Sequence, residues 1–190
     1  MFARTPRLLL RPAWPEDAQM LHAAIADEAI VRNLASAPWP YTLGDARTFL
    51  ERERDPLHPA FLIFKRTLGQ PRLVGGCGIG VHENGDVELG YWIARPYWGL
   101  GFATEAAAAV MQIARSTGLK GVTCSHFIDN PASGRVMRKV GFRPTGRVEP
   151  RFSHGRGRAD LCAFYEDAGE NDMRDDPAVE IYPDMDSLAA

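Results

Sequence analysis

The 190 residues are 45% apolar and 24% charged, which suits one soluble domain with a sizeable core. No apolar run approaches the ~20 residues of a bilayer span, and three leucines between arginines are too few for a signal-peptide core, so a cytoplasmic protein with no membrane partner is expected. The net charge of −2 is uneven: eight acids against Arg174 give the chain from Asp167 onward −7 and leave +5 on the rest, a balance that suits an anionic ligand.

Arg7 to Arg11 (RLLLR), ended by Pro12, reads as the first strand. Pro15 with Glu16 and Asp17 suits a helix start, and Ala18, Leu21 and Ile25 recur at helical spacing to about Ile30. Thr42 with Asp45 forms a capping-box pattern for a second helix, Leu43 to Arg54, whose inner face is Ala46, Phe49 and Leu50. Phe61 to Lys65 and Leu73 to Val81 read as strands, and Asn84-Gly85-Asp86 as a hairpin turn. Val87, Leu89, Tyr91 and Ile93 then alternate with Glu88, Gly90 and Trp92, a period-2 strand broken by Arg95-Pro96.

An alanine-rich helix follows, with Gly118 as its C-terminal cap. Val122 to His126 is a strand, Asn130-Pro131 opens a helix to Val140, and Gly141 stops it. Phe142 to Val148 and Leu161 to Tyr165 close the body across a loop carrying Arg151, His154, Arg156 and Arg158. Residues 1–166 are therefore expected as one domain, a mixed α+β sheet with helices on both faces. Residues 167–190 are expected as an acidic, disordered or loosely attached tail.

The chemistry concentrates between Trp98 and Thr104. A strand feeding a glycine turn into a helix start leaves bare backbone N–H groups facing outward, backed by the helix dipole. No Gly-Lys-Ser/Thr follows, so this is no Walker loop. Thr104 stands where a dinucleotide fingerprint needs glycine or alanine, which argues against a nucleotide-dependent oxidoreductase. Cys77, Cys124 and Cys162 are widely spaced, and no histidine pair has metal-ligand spacing, so neither a disulfide framework nor a metal is expected.

Trp98 to Ala103 resembles the Q/R-x-x-G-x-G/A pyrophosphate loop of the GNAT superfamily of acetyl-CoA-dependent N-acetyltransferases, with Trp98 replacing the first polar residue. TPRLLLRP, PWPYTLGDARTFLER, VELGYWIARPYWGLGFATEA and DNPASGRVMRKVGF are similar to the RimJ/RimL-type branch, over about Thr5 to Tyr165. The resemblance implies the GNAT fold, a mostly antiparallel, V-splayed sheet. It implies acetyl-CoA as co-substrate, its diphosphate held by Trp98, Gly99, Leu100, Gly101, Phe102, Ala103 and Thr104. Ile93 and Ala94 would line the pantetheine arm, with a main-chain N–H on the thioester carbonyl; Asn130 would bond the arm from the other side.

By the same resemblance Glu88, directly or through a water, would accept the proton of the attacking amine, and Ser133 would protonate the leaving sulfur. Many family members carry a tyrosine acid where this chain has Met137. Trp39, Tyr41 and Trp92 are candidates for the acceptor pocket, against the alternative of core packing. A solvent-facing strand glutamate and a plain helix N-cap are the competing readings of Glu88 and Asn130.

The implied reaction is direct transfer in a ternary complex to a primary amine, with a protein N-terminal α-amine as first choice and small amines as the alternative. A non-catalytic acyl-CoA-binding module is the rival class. The expected partners are acetyl-CoA and the amine, with no nucleic acid, on a monomer or homodimer.

Overall fold

The computed structural model describes residues 1–53, 55–82, 85–169 and 180–182. Nine strands form one sheet: β1 (Phe2–Arg4), β2 (Leu8–Arg11), β3 (Ala60–Lys65), β4 (Arg72–Val81), β5 (Val87–Ile93), β6 (Thr123–Phe127), β7 (Phe142–Ser153), β8 (Arg158–Asp167) and β9 (Glu180–Tyr182). Their spatial order is β7-β8-β6-β5-β4-β3-β2-β1-β9. Every pairing is antiparallel except β5 with β6, which are joined in register only at Glu88 and Thr123. Beyond that point β5 runs on beside β4, and β6 beside β8. The two parallel strands thus part toward their C-terminal ends, which makes the slot expected from the V-splayed sheet.

Helices cover both faces because the central strands are apolar on both. Phe61 and Ile63 of β3 pack on one side with α4 (Phe102–Ser116) and α5 (Pro131–Lys139). Leu62 and Phe64 pack on the other with α1 (Ala18–Ile25), α2 (Glu28–Val31) and α3 (Leu43–Glu51). Burial of both faces explains why β3 reads as a continuous apolar run rather than an alternation.

Local signals set several boundaries as expected. Thr42 accepts from the Asp45 N–H while Asp45 accepts from the Thr42 N–H, closing the predicted capping box of α3. That helix ends at Glu51 rather than Arg54, which lies outside the described residues, as does Asn84 of the hairpin turn. The first predicted helix is broken in two, because Asp27 leaves the helical conformation and its side chain accepts from the Ala29 N–H to start α2.

Three expectations change more substantially. A strand precedes RLLLR, β1, which the short FAR segment did not announce. The closing hairpin is longer than predicted, so Arg151 sits in β7, opposite Asp160, rather than in a loop. The boundary drawn at 167 also moves. Asp167 ends β8 and pairs with Arg115 at 2.6 Å with both side chains nearly buried, and Glu180–Tyr182 extends the sheet alongside β1. Residues 170–179 and 183–190 of the predicted tail lie outside the described residues.

Candidate active site

A cleft of about 1190 Å³ opens where β5 and β6 part, bordered by the start of α4, the start of α5 and the inner side of α1–α3. At the end bordered by the start of α4, Gly99 and Gly101 have φ of 76° and 81°. Only glycine holds that left-handed conformation without strain, and it turns the chain so that α4 begins at Phe102. The N–H groups of Phe102, Ala103 and Thr104, in the helix's first turn, have no intrahelical acceptor. Glu105, in the same turn, would repel an anion, but Arg7 neutralises it: Nη2 lies 2.6 Å from Oε2. The same guanidinium donates to the Leu100 carbonyl at 2.9 Å and stacks 4.8 Å from the Phe102 ring, fixing the loop from behind.

Across the slot, Asn130 is the N-cap of α5 yet makes no side-chain capping bond. The plain-cap reading of Asn130 is thereby removed, and its amide borders the cleft. One turn on, Ser133 Oγ lies 2.7 Å from the Tyr91 hydroxyl, linking α5 to β5.

Nearer the start of β5, Glu88 is largely buried and fully engaged. Arg151 Nη1 donates to Oε1 at 2.7 Å, Ser125 Oγ donates to the same oxygen at 2.7 Å, and His82 Nε2 lies 2.6 Å from Oε2. Burial alone would raise the Glu88 carboxyl. The hydrogen bond and charge of Arg151, the Ser125 hydroxyl and His82 outweigh it and hold the group below its ordinary value. Glu88 is therefore not a solvent-facing strand glutamate. It is an ionised carboxylate clamped between a guanidinium and an imidazole. The margin of this end is fastened by the β7–β8 turn: Ser153 Oγ donates to the Leu34 carbonyl at 2.7 Å, His154 N–H to Ala35 at 2.9 Å, and Arg156 reaches the Arg32 carbonyl, Asp129 and Asp160.

A family model, the acetyltransferase (GNAT) domain, matches residues 7–143. The chain belongs to the GNAT acetyltransferase family. It is 26% identical over 162 residues to the uncharacterized N-acetyltransferase p20 of Bacillus licheniformis, covering 81% of this chain and 88% of that protein. Among solved structures, a GNAT-family acetyltransferase from Bacillus anthracis superposes with a TM-score of 0.73 at 24% identity, over 87% of this chain and 97% of the other. RimL, the ribosomal L7/L12 α-N-protein acetyltransferase in complex with coenzyme A, gives 0.68 at 20% identity, over 85% and 94%. The protein is thus an acetyl-CoA-dependent acetyltransferase with the GNAT fold. Among the described residues no group of three or more His, Cys, Asp or Glu is placed to hold a metal, and no helix is long and apolar enough to cross a membrane.

Within this GNAT cleft the fold collects Glu88, Ile93, Trp98, Gly99, Gly101, Phe102, Ala103, Thr104, Asn130, Ser133, Tyr41 and Trp92. Three predicted residues are not on its wall. Trp39 is 40% exposed elsewhere, Leu100 is exposed while its carbonyl accepts from Arg7, and Ala94 is buried with its N–H spent on the Val74 carbonyl at 2.8 Å. Ala94 therefore has no N–H left for a thioester carbonyl. Trp98, in place of the family's polar residue, puts its indole N–H on the Ile93 carbonyl at 2.6 Å.

Sequence reasoning missed Tyr91, His82, Ser125 and Arg151. Only Tyr91 carried a local signal, since alternation on β5 assigns it to the face opposite Glu88; the others reach Glu88 through strand pairings that no local pattern encodes. The three cysteines are free and buried, and burial pushes the Cys162 thiol up to about 11.

Proposed function

We propose that this enzyme transfers the acetyl group of acetyl-CoA to a primary amine by direct attack in a ternary complex, and that the amine is the α-amino group of a protein or peptide. The observation carrying the reading is the splayed pair of strands with bare N–H groups at one end and a clamped carboxylate at the other. Acetyl-CoA supplies the activated carbonyl. The α4 N-terminus binds its diphosphate without a lysine, because backbone donors backed by a helix dipole suffice. Asn130 holds the pantetheine arm.

Glu88 works as a fixed anion that orients the amine. The proton lost on attack passes through a water toward Glu88 and leaves by His82, which is 41% exposed at the mouth. Ser133 meets the departing sulfur. The resemblance to RimL, named as an α-N-protein acetyltransferase, supports the choice of acceptor.

A thiol-release screen tests this directly. Peptides with free N-termini, ribosomal-protein sequences among them, are compared with the same peptides blocked at the N-terminus and carrying lysine, and with polyamines, aminoglycosides and amino acids. Turnover confined to free N-termini is the expected result. Turnover on small amines alone overturns the acceptor assignment, and coenzyme binding with no turnover on any amine favours a binding module.

A further inference from the structure

Tyr91 stands three residues beyond the last contact between β5 and β6, where the strands have already parted. Its ring packs with the core on the α4–α5 face, and its hydroxyl lies 2.7 Å from Ser133 Oγ and 3.1 Å from the Ser133 carbonyl. Both residues border the cleft. The groups facing them are neutral thiols and rings for the most part: Cys77 on β4, Cys124 on β6, and Tyr165 on β8, which in turn bonds Arg138 of α5 and lies against His126. Burial raises the phenol well above its ordinary value, so its proton stays on oxygen through the working range. Met137, one turn further along α5, has no hydrogen to give and is fully buried.

A serine hydroxyl has one hydrogen and two acceptor sites. The one phenol hydrogen of Tyr91 has two acceptors, the Ser133 carbonyl and the nearer Ser133 Oγ; when it goes to Oγ, the serine's own hydrogen is released from the tyrosine and free to turn into the slot. We propose that Tyr91 is a positioning residue for acetyl transfer: it holds Ser133 so that the serine O–H points at the coenzyme A sulfur and stabilises the negative charge that develops there. The inference rests on the role given to Ser133 above.

In the step, the amine nitrogen forms the C–N bond while the C–S bond breaks and its electron pair goes to sulfur. The amine proton leaves on the Glu88 side. Tyr91 and Ser133 both keep their protons, and the thiolate takes one from water on release.

A stabilised thiolate has a consequence that needs no acceptor: the thiol of bound coenzyme A should titrate at lower pH than the free thiol. Ultraviolet absorbance of the thiolate, followed against pH on the coenzyme A complex, reads this. Tyr91→Phe and Ser133→Ala should each move the titration to higher pH, with no further move in the double variant. With an amine acceptor, Tyr91→Phe should lower kcat by about tenfold, the upper end for losing a hydrogen bond between neutral groups, with KM for acetyl-CoA nearly unchanged.

A wild-type thiol titration in Tyr91→Phe, or a Tyr91→Phe effect that persists undiminished on Ser133→Ala, overturns the proposal. Should Tyr91→Phe fail to fold, Ser133→Thr, which keeps the hydroxyl, is compared with Ser133→Ala, and identical titrations overturn it equally. Failure of the wild-type protein to bind coenzyme A in calorimetry is a separate outcome, which overturns the cofactor reading and this inference with it.

Discussion

Glu88 shows how a side chain's partners define its chemistry. A carboxylate that accepts from Arg151 and Ser125 and faces His82 is a weak base and a strong anchor. Glu88→Gln should lower kcat by about 10²-fold, the low end for a lost proton-transfer group, most strongly at low pH and with acetyl-CoA affinity kept. A pH–rate profile like the wild type's would remove Glu88 from the mechanism. The substitution also leaves Arg151 short of its counter-ion, at a cost of about 2 kcal/mol, below the roughly 3–5 kcal/mol of a fully buried pair because Ser125 remains.

The sign of the pH effect on stability follows from the lowered carboxyl. The stabilisation is fully present above the unfolded carboxylate value of about 4.3 and is lost as pH falls through the lower folded value. Melting temperature against pH should therefore fall less steeply on the acid side in Glu88→Gln. Glu88 was legible only through the resemblance of its segment to RimL-type enzymes, and its partners come from positions 82, 125 and 151, brought together only by the finished sheet.

At the scale of elements, α4 and its glycine turn were legible because every determinant is local: a strand, two glycines and a run of alanines. Gly101→Ala should cost about 1–2 kcal/mol, since its φ of 81° is strained for any residue with a Cβ. That Cβ would also sit 3.4 Å from Arg7 Nη2, so affinity for acetyl-CoA should fall with stability. Gly101→Glu, which adds charge and bulk at the diphosphate, should abolish binding in calorimetry, and unchanged affinity would exclude the loop from the cofactor site. By contrast, the break between α1 and α2 was hidden, because the apolar spacing continues through Ile30 while the Asp27 side chain accepts from the nearby Ala29 N–H. The length of the last hairpin was hidden for another reason. The stretch carrying Arg151, His154, Arg156 and Arg158 is polar and reads as a loop, yet β7 and β8 stay paired as far as Ser153 and Arg158.

Across the whole molecule, the apolar pattern foretold two helical layers on one sheet, and the segments resembling GNAT proteins ordered them. The far end of the chain was less readable, since composition marks a segment as polar without saying whether three of its residues find an edge. Truncation after Gly169 removes β9 and should lower the melting temperature by only a few degrees. Truncation before Asp167 also removes the Asp167 carboxylate from Arg115, a pair 10% and 13% exposed, and should cost clearly more. Equal melting temperatures for the two truncations would show that this pair contributes nothing.

The fastening of the β7–β8 turn to residues 32–35 bears on which acceptors can enter. Arg156, its side chain 5% exposed, bonds Asp129, Asp160 and the Arg32 carbonyl at once. Charge-assisted and neutral bonds of this kind tie residues 32–35 to the hairpin. For the amine acceptor proposed above, selection would then work as a sieve, by the width and reach of the entering group. Arg156→Ala should loosen the sieve, admitting bulkier amines while turnover of the best acceptor falls, an exchange of selectivity for tolerance that the same acceptor panel would record.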